Sequence, residues 1–117
     1  MDKTFIIKQW LKDSGHEYYE YRHEGLDVLL LRLEITGEEI VENVHILLEG
    51  SPAYGTVDRC PAADEVMVVI EFFDEDNCNG EAWVVISLAD PNCFYEMDDI
   101  LRQGLAYPAK WKFEYFE

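Results

Sequence analysis

Ile6, Ile7, Trp10 and Leu11 fall on one face of a helix, with Lys3, Lys8 and Lys12 on the other side. The spacing predicts a first helix from Thr4, a candidate cap, to about Ser14, with Gly15 placed to end it. His16 to Arg22 carries Tyr18, Tyr19 and Tyr21 and reads as a strand. A turn at Glu24-Gly25 leads into a second strand, Leu26 to Ile35. Its unbroken apolar run from Val28 to Leu31 suggests burial on both faces.

Thr36-Gly37-Glu38-Glu39 matches a capping box, and Ile40, Val41, Val44, Leu47 and Leu48 then follow the helical period. A helix over 38–49, stopped by Gly50, is the preferred reading. A strand from Val44 to Glu49 is its rival, because the segment is rich in β-branched residues. Ser51 to Glu65, with Pro52, Gly55 and Pro61, reads as a long loop. Val66 to Phe73 and Ala82 to Leu88 are the clearest strands, and Asn79-Gly80 is a turn signal between them. A short helix near Phe94 to Gln103 follows Asn92, a candidate cap. Lys110 to Phe116 alternates Trp111, Phe113 and Tyr115 with Lys112 and Glu114, a final strand. The fold class expected is α+β, a mostly antiparallel sheet of about five strands with two or three helices packed on it.

The 117 residues suit one domain, 1–117, and 49% hydrophobic content suffices for a real core. No apolar stretch has the roughly 18 residues of a membrane span. The first residues lack a signal-peptide pattern, so a cytoplasmic location is expected. Cys60, Cys78 and Cys93 are odd in number and form no C-x-x-C pair. That fits reduced thiols, with neither a metal nor a cofactor expected.

Charge changes the picture most. The chain has 25 acidic and 9 basic residues, a formal net charge of −16. Residues 33–101 hold seventeen acids and a single base, Arg59, whereas the flanking segments are nearly balanced. A merely solubilising surface and adaptation to high salt are competing accounts, but high-salt adaptation predicts acidic termini as well. Self-repulsion at this density destabilises the compact state. A confined excess therefore favours a surface that attracts something positive. Direct contact with nucleic acid is disfavoured, since phosphates need Lys and Arg where this chain has Asp and Glu.

Tests for chemistry are negative. Glu75-x-Asn77-x-Asn79-Gly80 superficially matches a calcium loop, but the twelfth position is Ile86 rather than a bidentate glutamate. Cys60 lies between Arg59 and Pro61 without a catalytic signature. There is no phosphate-binding Gly-rich loop, G-x-S-x-G or H-E-x-x-H. The chain is not expected to be an enzyme.

Carboxylates two apart on a strand are separated by about 6.6 Å, and those four apart on a helix by about 6 Å along the axis. Phosphates on a DNA strand rise about 3.4 Å each, with a through-space gap roughly twice that. Glu38 and Glu42 fit the helical case, and Asp74 with Asp76, and Glu20 with Glu24 or Asp27, extend such a track. With its acidic runs Glu38-Glu39-x-x-Glu42 and Asp74-Glu75-Asp76, the chain resembles the small acidic DNA-mimic proteins of bacteria and phages. Among them is the neisserial kind that binds the histone-like protein HU. The resemblance implies a monomer that occupies the DNA-binding surface of a basic protein and competes with DNA. The expected contact residues are Glu20, Glu24, Asp27, Glu38, Glu39, Glu42, Asp74, Glu75, Asp76 and Glu81. The rival is an immunity protein for a basic nuclease toxin, or another phage or plasmid inhibitor of a defence nuclease.

Overall fold

Val44 to Leu48 and Val66 to Ile70 are two runs in which every residue is buried. A strand buries every position only when both faces of its sheet are covered, and these runs are the middle of the sheet. The structure, a computed structural model, describes residues 3–23, 26–34, 41–48, 64–74 and 77–115. For 21–34, 41–43, 73–74 and 77–79 it describes the backbone alone. The strands are β1 (Tyr19–His23), β2 (Leu26–Glu34), β3 (Val41–Leu47), β4 (Glu65–Asp74), β5 (Asn77–Ser87) and β6 (Lys112–Tyr115). They form one sheet in chain order, every pair antiparallel. Helix α1 (Lys3–Asp13) precedes the sheet, and α2 (Cys93–Gln103) with a 3₁₀ turn (Gly104–Ala106) lies between β5 and β6. The fold is α+β, with six described strands where the sequence suggested about five.

Side chains alternate across the sheet. Val44, Ile46, Val66, Val68, Ile70 and Ile86 pack against Ile7 and Leu11 of α1 and Met97, Ile100 and Leu101 of α2. Leu47, Met67 and Val69 form a second cluster with Trp83 and Val85. Register agrees with this division, since Leu47 faces Met67, which faces Val85. Truncating a buried Ile or Met in such a core costs about 2–5 kcal/mol.

The helix preferred over 38–49 is overturned: residues 41–47 are strand β3. Its apolar positions fit a helical period, but the segment pairs with β2 on one side and β4 on the other, and its β-branched residues suit a strand buried on both faces. The spacing of Glu38 and Glu42 along a helix falls with it. The Asn79-Gly80 turn is also corrected. β4 and β5 are paired out to Asp74 and Asn77, and the register shifts at Phe72/Phe73, leaving Asn79 as the extra residue of a bulge. Thr4 lies inside α1 rather than capping it. Of the loop expected at Ser51 to Glu65, 51–63 lies outside the described residues, Asp64 forms a turn, and Glu65 opens β4.

Gly80 is needed for close approach. A Cβ there would sit 2.4 Å from the Glu114 carbonyl oxygen and 2.7 Å from the Phe72 ring. Gly80→Ala is therefore expected to cost about 1–3 kcal/mol, read as a fall of several degrees in Tm. An unchanged melting curve would refute the packing of β6 on β5.

Candidate functional site

Antiparallel order decides which acidic residues share a place. β2 ends, β3 begins, β4 ends and β5 begins at one end of the sheet. Glu34 pairs with Val41, Glu42 lies between Leu33 and Phe72, and Asp74 pairs with Asn77. Glu34, Glu42 and Asp74 thus gather at this end. Residues 33–42 and 72–80 hold seven acidic residues and no basic one. Of the expected contact residues, Glu24, Glu38, Glu39, Glu75 and Asp76 lie outside the described residues.

Asp27 pairs with Arg22 near the other end of β2. Seven residues at about 3.4 Å each put it roughly 24 Å from the level of Glu34. Glu20 pairs with Leu29, is exposed, and forms an ion pair with Lys8. The extension of the carboxylate track through Glu20 and Asp27 is corrected accordingly: these residues are at different places on the sheet from Asp74.

Glu81 is a further correction. It is 1% exposed and so does not present a contact surface. With the hairpin turning before Asn77, Glu81 sits in mid-strand, opposite Glu71 on one side and Glu114 on the other. Like charges directly opposite one another are unfavourable. His45, buried on β3, meets this row through a hydrogen bond between its Nε2 and Glu71 Oε1. Nothing in the linear pattern signals the arrangement, because its pairing depends on where the β4–β5 turn falls.

The second cluster missed in the sequence lies between the helices. Gly15, at φ +76°, ends α1 with the His16 amide donating to the Leu11 carbonyl and the Gly15 amide to the Lys12 carbonyl. This Schellman closure fixes His16. Its Nε2 is 2.8 Å from Asp98 Oδ1 on α2, while Arg102 Nε donates to Asp98 Oδ2 at 2.8 Å. These hydrogen bonds, Arg102 first and His16 second, hold the Asp98 carboxyl below its usual range against the opposing effect of burial. Trp10 stacks obliquely near both His16 and Phe94, with centroids 5.7 and 5.2 Å away. Trp10, Ser14, Pro91, Phe94, Tyr95 and the Asp98–Arg102 pair line an open groove of about 490 Å³. Both Asp98 oxygens are occupied, so the group joins the helices rather than serving as a free base. The Asp98–Arg102 spacing is a legible i, i+4 pair, but the His16 contact spans 82 residues.

Cys93 is a free, buried thiol whose pKa burial pushes up, the opposite of what a nucleophile needs. Among the described residues no three His, Cys, Asp or Glu side chains come together as a metal site, and no helix is long and apolar enough to cross a membrane. No protein-family model, curated protein or solved structure matches the chain.

Because the folded pKa of Asp98 is lowered, its contribution to stability is present above the unfolded value near 3.8 and is lost as pH falls through the folded value. Asp98→Asn is expected to destabilise by roughly 0.5–1 kcal/mol at neutral pH. The gap from wild type, followed by denaturant titration, should begin to narrow below about pH 4 and close only below the folded value. A gap that stays constant into strong acid would contradict the assignment.

Proposed function

We propose that this protein is a non-enzymatic DNA mimic that acts in the cytoplasm as a monomer. Its carboxylates occupy the DNA-binding surface of a basic protein of the histone-like HU kind and exclude DNA from it. The observation that carries the reading is the gathering of Glu34, Glu42 and Asp74 at one end of the sheet. The chain segments bounded by these strand ends contain no base. A field of one sign over a surface several kT deep steers an oppositely charged partner and resists like-charged ones. Asp74 is two residues beyond Phe72, the register partner of Glu42 on the neighbouring strand. Two residues span about 6.6 Å along a strand.

Such binding must weaken with salt and compete with duplex DNA. Immobilised protein incubated with cell lysate at low salt is expected to retain basic DNA-binding proteins, released by added salt or by duplex DNA. Glu38, Glu39 and Glu42 changed together to Gln, or Asp74, Glu75 and Asp76 changed to the matching amides, should weaken retention about ten-fold or more without lowering Tm. Each change removes three negative charges from the chain, and close charge pairs at interfaces couple by about 1.5–7 kcal/mol. Retention indifferent to salt sinks the proposal. A nuclease as the DNA-displaceable partner would make the protein a nuclease inhibitor working by the same surface.

A further inference from the structure

The last strand ends in two aromatic residues that the core does not absorb. Phe113 is 48% exposed and Tyr115 71%. Their rings are parallel to within 10° at a centroid distance of 6.1 Å, and Tyr115 meets Phe72 edge-on at 5.8 Å. The pair is held in place. Tyr115 is opposite Gly80, and Phe113 is opposite Ala82. The Phe72 ring lies over the space that Gly80 leaves open. An aromatic ring covering a strand glycine replaces the contacts its missing side chain would make.

Position gives the pair its meaning. Tyr115, Gly80, Phe72, Glu42 and Leu33 form one row across the sheet. Asp74 lies two residues beyond Phe72, on the same face as this row. The exposed rings therefore border the acidic end. β6 is an edge strand, paired only with β5 among the described strands. Lys112 directly precedes Phe113 and, by strand alternation, projects from the opposite face of β6 to the two rings. A second copy of a chain carrying −16 is a poor occupant for such an edge. A cation is a good one, because ring faces attract it and the neighbouring carboxylates add to that attraction. The planar guanidinium stacks on aromatic faces, whereas a lysine ammonium is a compact, strongly hydrated point charge.

We infer that Phe113 and Tyr115, bordering the acidic end of the sheet, form an arginine-binding platform for the basic partner. The inference rests on the proposed function and gives it a preference that charge alone does not provide. DNA presents stacked bases between its phosphates, and here stacked rings stand beside carboxylates.

The test uses the intact protein with two probes of equal charge, an octa-arginine and an octa-lysine peptide, titrated at low salt. Wild type is expected to bind the arginine peptide about three-fold or more tightly than the lysine peptide. Changing Phe113 and Tyr115 together to Leu keeps apolar bulk but removes the π faces, and should abolish the preference by lowering arginine-peptide affinity more than lysine-peptide affinity. Tyr95→Leu, at an exposed aromatic on α2, should leave the preference intact. Equal binding of the two peptides by wild type, or a preference that survives in the double variant or vanishes in Tyr95→Leu, overturns the platform and leaves the DNA-mimic reading standing. Failure of both peptides to bind removes both.

Discussion

The middle of this protein is a ladder of three strands, β3, β4 and β5, with apolar side chains on both faces. Every residue from Val44 to Leu48 and from Val66 to Ile70 is buried. Backbone amides and carbonyls in such a place must pair with neighbouring strands, because water does not reach them. The requirement fixes register, since a slip of one residue would exchange the helix-facing set for the opposite set. Once register is fixed, so are the row Glu71–Glu81–Glu114, the row Phe72–Gly80–Tyr115, and the end at which Glu34, Glu42 and Asp74 gather.

The helices serve that ladder. α1 and α2 cover one face with Ile7, Leu11, Met97, Ile100 and Leu101. They are tied to each other through His16, Asp98 and Arg102 and to the sheet by the Lys3 ammonium donating to the Glu65 carbonyl at 2.9 Å. Apart from Arg59, the basic residues are confined to residues 1–32 and 102–117, and seven of the seventeen acids between lie in segments 33–42 and 72–80. A surface charged to this degree repels itself, and a core buried on both sides of its central strands opposes that repulsion.

Much of this was legible in one dimension. Alternation and aromatic content located β1, β2, β4 and β6, helical spacing located α1 and α2, and Gly15 marked the end of α1. Charge counting confined the acidic excess to 33–101. The failures share a cause. Ile40, Val41, Val44, Leu47 and Leu48 satisfy a helix and a two-faced strand equally, so periodicity does not separate them. Asn79-Gly80 has the composition of a hairpin turn, yet the pairing of Asp74 with Asn77 places it inside β5. That shift moves Glu81 from an expected loop tip to the sheet interior.

The sequence by itself determined the class of fold, the order of most elements and the sign and extent of the charge, because local spacing and composition are properties of the chain. Tertiary structure alone decided which charges stand together. Glu42 and Asp74 share an end although 32 residues separate them, and Asp27, nearer to Glu42 in the chain, lies toward the other end. Strand direction and register set those neighbours, and both follow from how the two apolar faces of the sheet are buried. The acidic excess was a quantity in the sequence, and only the folded sheet gave it a location.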